Sequence, residues 1–238
     1  IAARTVAEAM SSEWGQEVIV DNRTGGAGFV AATAVAMAEP DGHTLFVADM
    51  GVNVINPFLF DDIPYNPAED FRAITMISDT PLVLAAYKDA PFDTTEEYVT
   101  YALANPGEVS FASAGIGSLN HIVPEWINYE MGIDAVHIPY RGGAPAATAV
   151  ASLIEGGVPN VAAGQWAGLF APSGVSDEIA DKIQADVVAF LNSDEANETF
   201  SARGAIVSPM ESADFAALLD TLRDRFSVII EAAAITPE

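Results

Sequence analysis

The chain has 238 residues, half of them hydrophobic, enough for one large domain or two smaller ones with real cores. It has no cysteine, which excludes disulfides and thiolate metal sites. With 34 acidic against 9 basic residues, its formal charge of −25 repels nucleic acid and anionic lipid, both of which need basic patches.

No apolar run is long enough for a membrane span and no signal peptide is visible. The chain starts at Ile1 rather than Met, so a processed or trimmed N-terminus is expected. So acidic a surface fits a protein kept soluble at high salt, and a halophilic or marine source is an expectation from charge alone.

Ala2 to Trp14 reads as a helix with Val6, Met10 and Trp14 on one stripe, stopped at Gly15. Glu17 to Val20 reads as a short strand. The glycine-rich segment Gly25-Gly26-Ala27-Gly28 then opens an alanine-rich helix running to about Ala38. Thr44 to Ala48 is a buried-type strand ending at Asp49-Met50-Gly51, and Val52 to Leu59 is a short helix or irregular segment. Strands are expected at Ile74 to Ile77 and Leu82 to Tyr87, broken by Asp79-Thr80-Pro81. Thr94-Thr95-Glu96-Glu97 is a capping box whose helix stops at Asn105-Pro106-Gly107.

Phe111 to His121 carries the most chemistry. A short strand ends in a small-residue loop, Ser113-Ala114-Gly115-Ile116-Gly117, which turns into a helix at Ser118. Without Cβ atoms, Gly115 and Gly117 let the backbone come close to a ligand. Ser118 can cap the helix, leaving first-turn N–H groups and the positive end of the dipole facing the loop. That combination suits a carboxylate; an ordinary strand-to-helix connection is the alternative. A second such turn follows the strand at Ala135 to Ile138, in Tyr140-Arg141-Gly142, with a helix expected from Pro145 to Ile154. Val158 to Ala171 reads as a crossing between lobes. Helices follow at Ser176 onward, Asp194 to Ala202, and Ala213 to about Ala233. Strands alternating with helices argue for an α/β fold with mainly parallel sheet, and ligands then bind beyond strand ends.

Gly26-Ala27-Gly28-Phe29-Val30-Ala31 matches a dinucleotide fingerprint, with Asp49 ending the next strand; a nucleotide-dependent enzyme using this loop is the competing reading. The match is imperfect, because Asp21 to Thr24 separate the expected strand from the glycines. No Gly-x-Ser-x-Gly elbow occurs, and His43, His121 and His137 are dispersed. His43 and His137 are read as structural; His121, in the first turn of its helix, either faces the cleft or simply hydrogen-bonds within the helix. No catalytic set and no metal cluster emerges.

Several segments in order resemble the periplasmic receptors of tripartite tricarboxylate transporters, the Bug family. They are Val20-Asp21-Asn22-Arg23 with Gly25 to Gly28, Pro40-Asp41-Gly42-His43-Thr44-Leu45, Asn56-Pro57, and Ile63-Pro64-Tyr65 with Asp70-Phe71. Ala112 to Ser118 with His121, His137 to Gly142, and Trp166 to Pro172 complete the set. The resemblance implies a periplasmic-binding-protein type II fold, two α/β lobes with a ligand cleft between them: residues 1–92 with 166–238, and 93–165. It implies a non-enzymatic, periplasmic receptor, monomeric and without a cofactor, that binds a small organic carboxylate through backbone amides and serves the membrane subunits of a transporter. Carried across by residue, Ser113, Ala114, Gly115, Gly117, Ser118, His121, Tyr140, Arg141 and Gly142 form one wall, and Asp49, Met50, Gly51 and Asn53 contribute to the other.

Against the family pattern, the chain begins inside the first helix. Between Ile154-Glu155 and Val158-Pro159 it also lacks several dozen residues, including strand and helix of the second lobe. Either this is a truncated relative, or, as the favoured explanation, the chain joins pieces that are not covalent neighbours, in which case a gap far beyond the roughly 3.8 Å between successive Cα atoms is expected there.

Overall fold

A computed structural model describes residues 2–82, 84–87, 89–141, 146 and 164–236. The expected helix from Pro145 to Ile154, apart from Ala146, and the junction near Glu155 to Val158 lie outside the described residues, as does Gly142. The chain divides into two compact units, Ile1–Thr80 with Gln165–Asp224, and Pro81–Gly164 with Arg225–Glu238.

In the first unit, the elements are α1 (Ala2–Trp14), α2 (Phe29–Ala36), β1 (Phe46–Asp49), a wide helical turn (Gly51–Ile55) continuing into α3 (Asn56–Leu59), and β2 (Phe71–Pro81). The chain returns to this unit with β5 (Gly164–Pro172), α6 (Asp177–Leu191), α7 (Asp194–Ser201), β6 (Ile206–Val207) and the start of α8 (Ser212–Ala232). The sheet order is β1-β5-β2-β6. β1 runs against β5, with Phe46 opposite Phe170 and Asp49 opposite Ala167, and β2 runs against β6. A mainly parallel sheet is therefore not what these two pairings give.

Helical spacing brings Val6 and Met10 of α1 and Ile183, Val187 and Leu191 of α6 onto Ile74, Ile77 and Leu169 of the sheet. A second cluster is aromatic: Phe215 lies 5.5 Å edge-on from Trp166 and 5.4 Å from Phe170. The caps follow the local sequence, with the hydroxyls of Ser176 and Ser193 accepting the Ile179 and Ala196 N–H groups.

Three expectations fail here for lack or excess of strand partners. Glu17 to Val20 is not a strand, and Ile19 stays 77% exposed. Leu82 to Tyr87 has no strand among its described residues. Asp79-Thr80-Pro81 does not break β2, because Ser78 and Asp79 pair with Val207 and Ile206 and carry the strand on to Pro81.

The second unit holds α4 (Thr95–Ala104), β3 (Ser110–Ser113), α5 (Leu119–Met131) and β4 (Val136–Pro139). Its capping box forms as expected: the Glu97 N–H donates to Thr94 Oγ1, and Glu97 Oε2 accepts from the Asp93 N–H. β3 and β4 pair in parallel, Phe111 opposite His137 and Ser113 opposite Pro139. Tyr98, Ala102, Ile133 and Ala135 form the buried core beneath them.

Candidate functional site

The parallel register decides the chemistry of the second unit. It sets Phe111 and His137 side by side, and the first turn of α5 adds His121, so that three rings form a column. The His121 and His137 rings lie 3.7 Å apart and within 11° of parallel, and Phe111 stacks on His137 at 5.0 Å. His121 is buried, with 5% of its surface exposed. Burial, with the neighbouring His137 second, holds its imidazole well below the ordinary 6.5, down to about 4. Burial lowers His137 as well, and raises the Glu125 carboxyl.

These rings fasten the Ser113–Ser118 loop. The fully buried Ser113 hydroxyl lies 2.6 Å from His137 Nε2 and accepts the Gly115 N–H at 3.1 Å. The Gly117 N–H donates to His121 Nδ1 at 3.1 Å. Ser118 stands at the N-cap position but makes no capping bond; its hydroxyl donates back to the Gly115 carbonyl at 2.7 Å. Gly115 and Gly117, at φ +131° and +75°, are thus needed for the bend, which other residues rarely adopt. Their N–H groups were expected to point at a ligand and instead point inward, at Ser113 and His121. The His121 and Ile122 N–H groups both go to the Ser118 carbonyl. Among the described residues, the first-turn donors left without a partner are those of Leu119 and Asn120, at the positive end of a 13-residue helix.

Tyr140 is drawn to the same place: its N–H donates to the Ser113 carbonyl, and its own carbonyl lies 3.5 Å from where a Gly115 Cβ would stand. Ala114 sits in the loop, half-buried, and Arg141 follows β4, exposed.

Asp49, Met50, Gly51 and Asn53 belong to the first unit. Asp49 Oδ1 accepts the Val52 N–H at 3.4 Å, and Oδ2 accepts from Gln165 Nε2 at 3.3 Å. Met50 is buried, and Asn53 is wholly so, its Nδ2 donating to the Asp49 carbonyl and its own carbonyl accepting from Arg223 Nε. These two support the turn from within rather than offering a surface. Beside Asp49 opens a mostly apolar pocket of about 280 Å³, with Gly28, Ala31, Phe46, Val52 and Ala167 on its walls. The glycine-rich turn reaches it because Asn56 Nδ2 donates to the Ala27 carbonyl and the Tyr65 hydroxyl donates to the Val52 carbonyl. That network accounts for three separated motifs, Gly25 to Gly28, Asn56-Pro57 and Pro64-Tyr65, in one knot. The dinucleotide geometry is not met, since no strand precedes these glycines.

Sequence reasoning missed His137 and Phe111 as loop supports and Gly28 as a pocket wall. The signal for the first two was the register of two short strands, which no local pattern states. Among the described residues no cluster of His, Asp or Glu is placed to hold a metal ion, and no helix is long and apolar enough to cross a membrane.

The family model described as "Tripartite tricarboxylate transporter family receptor" matches residues 2–153. The chain belongs to this family. It is 35% identical over 156 residues to the UPF0065 protein of the tcbD-tcbE intergenic region of Pseudomonas sp., a match over 66% of this chain and only 45% of that relative. The matched stretch is thus under half the length of that protein. It is 27% identical over 262 residues to Protein BugT of Bordetella pertussis, covering 91% of this chain and 80% of BugT. That alignment is longer than the chain's own 238 residues, so BugT carries internal residues that this chain lacks. Among solved structures, an R. palustris protein with adipate superposes with a TM-score of 0.77 at 25% identity, over 100% of this chain and 93% of that one. MatC from Rhodopseudomonas palustris with bound malate gives 0.71 at 25% identity, over 96% and 93%. The receptor's fold is accordingly α/β, of the periplasmic-binding-protein type II class.

Proposed function

We propose that this chain is a periplasmic, non-enzymatic receptor that captures a small organic carboxylate and presents it to the membrane subunits of a tripartite transporter. What carries the reading is the Ser113–Ser118 loop, held rigid by its own side chains ahead of the Leu119 and Asn120 donors. Those donors suit an anion, and a hydrogen bond to a charged group contributes about 1.5–3 kcal/mol. Ala114 sits within the loop, Tyr140 is tied to it through the Ser113 carbonyl, and Arg141 and Gly142 follow in sequence. Adipate and malate on the R. palustris structures support the ligand class. Binding by dipoles rather than by a dedicated cation also fits a chain of net charge −25, whose field repels free anions and leaves capture to short-range contacts.

Thermal shift tests this. A ligand present at about a hundred times its dissociation constant adds about 2.7 kcal/mol of stability. Adipate, malate or a related carboxylate is expected to raise the midpoint, and NAD and ATP are not. Stabilisation by NAD or ATP and by no carboxylate would overturn the proposal.

A further inference from the structure

We propose that His121 and His137 are positioning residues of the carboxylate loop: as a neutral stacked pair they hold Ser113–Ser118 in its binding shape, and a proton on the pair releases it. This rests on the reading of that loop as the carboxylate site.

Hydrogen-bond geometry sets the state of the His121 ring and ties His137 to the loop. Gly117 can donate to His121 only if Nδ1 carries a lone pair, which puts that ring's proton on Nε2. The Gly115 carbonyl already accepts from the hydroxyl and the N–H of Ser118, at 2.7 and 3.2 Å. The Ser113 hydroxyl takes the Gly115 N–H, reaches the same carbonyl at 3.1 Å, and shares a hydrogen bond with His137 Nε2 at 2.6 Å. The Gly117 end of the loop thus hangs on a lone pair of His121, and the Ser113 end on a hydrogen bond to His137. A proton on His121 Nδ1 would set two donors face to face across 3.1 Å, and with the rings 3.7 Å apart a second positive charge is opposed by the first.

Among the described residues, the titratable groups around the pair are few. Glu125, one turn along α5, brings Oε1 within 3.9 Å of His121 Nε2. Burial, with the Glu125 carboxylate second, raises the phenol of Tyr98 of α4. From β3 the facing groups are Phe111 and Ser113, neither of them charged. Glu125 favours a proton on the pair, whereas desolvation and the paired rings oppose it.

The sign sets this apart from simple electrostatics. If the histidines met the ligand as charges, protonation would strengthen carboxylate binding; as positioning residues, they weaken it when protonated.

The test has two arms. Calorimetry at about pH 7, using whichever of adipate and malate the wild type binds, compares His121→Phe, which can stack but not accept, with His121→Gln, which can accept. Affinity is expected to fall about tenfold or more in His121→Phe and to stay within about threefold in His121→Gln. Wild-type affinity in His121→Phe would overturn the proposal. The second arm needs no ligand. Nitrogen NMR of the wild-type rings should show His121 protonated on Nε2, and the Gly117 amide should lose its protection from exchange at the same pH at which His121 titrates. A proton on Nδ1 at neutral pH, or Gly117 protection unchanged through that titration, would overturn it whether or not the variants fold. Should no carboxylate of the thermal-shift panel bind the wild type while NAD or ATP does, the receptor reading fails and the NMR arm still decides the positioning claim.

Discussion

Replacing His121 by Gln removes a buried titrating ring and leaves an acceptor in its place. In the native chain the ring titrates near 4 instead of 6.5. A group whose pKa is lowered by folding binds more protons in the unfolded chain, so its contribution is intact above 6.5 and is lost as pH falls through about 4. At 1.36 kcal/mol per pH unit, that drop corresponds to about 3 kcal/mol. The same acidification relieves the repulsion of a chain at −25, which acts in the opposite direction, so the informative quantity is the difference between wild type and variant. Urea unfolding at several pH values between about 7 and 4 should show the wild type losing about 3 kcal/mol more than His121→Gln. Parallel curves for the two proteins would refute the burial argument and, with it, the neutral state assigned to the ring stack.

Gly168→Ala in β5 should lower stability by about 1–3 kcal/mol in a calorimetric melt, because the new methyl stands 2.8 Å from Phe215 Cε1 and 3.0 Å from Phe170 Cε2, both rings buried. Arg223→Lys should cost about 2 kcal/mol in thermal unfolding, because an ammonium cannot reach the Asn53 and Pro67 carbonyls and Asp220 together as the guanidinium does. Arg141→Ala should weaken dicarboxylates about fivefold in calorimetry while sparing monocarboxylates, Arg141 being the exposed cation next to Tyr140 that we propose pairs with a second acid group. Unchanged affinity across a dicarboxylate panel would remove Arg141 from the site.

Helices were the legible part of this fold. Val6, Met10 and Trp14, the Thr94 capping box and the Phe215-to-Ile229 stripe each carry their own period and stop signals, and the elements lie where those signals put them. Strands set by distant partners were not legible. Gly164 to Pro172 shows no alternation and is a strand because Phe170 and Leu169 find Phe46 and Val47, far away in sequence. Glu17 to Val20 has the composition of a strand and no partner, so Ile19 lies open. At the loop, Gly115 and Gly117 marked the bend correctly, but which groups would take their N–H hydrogens depended on His121 and on a register placing Ser113 near His137. Side-chain partners of that kind answer to tertiary packing and leave no spacing to read.

The receptor reading stands or falls on where an acid group docks. Titrating nitrogen-labelled protein with a stabilising carboxylate and following the backbone amides locates it. The Leu119 and Asn120 amides should move first and furthest, while those of Gly26 to Ala31 stay in place. Shifts centred on Gly26 to Ala31, with Leu119 and Asn120 silent, would contradict it.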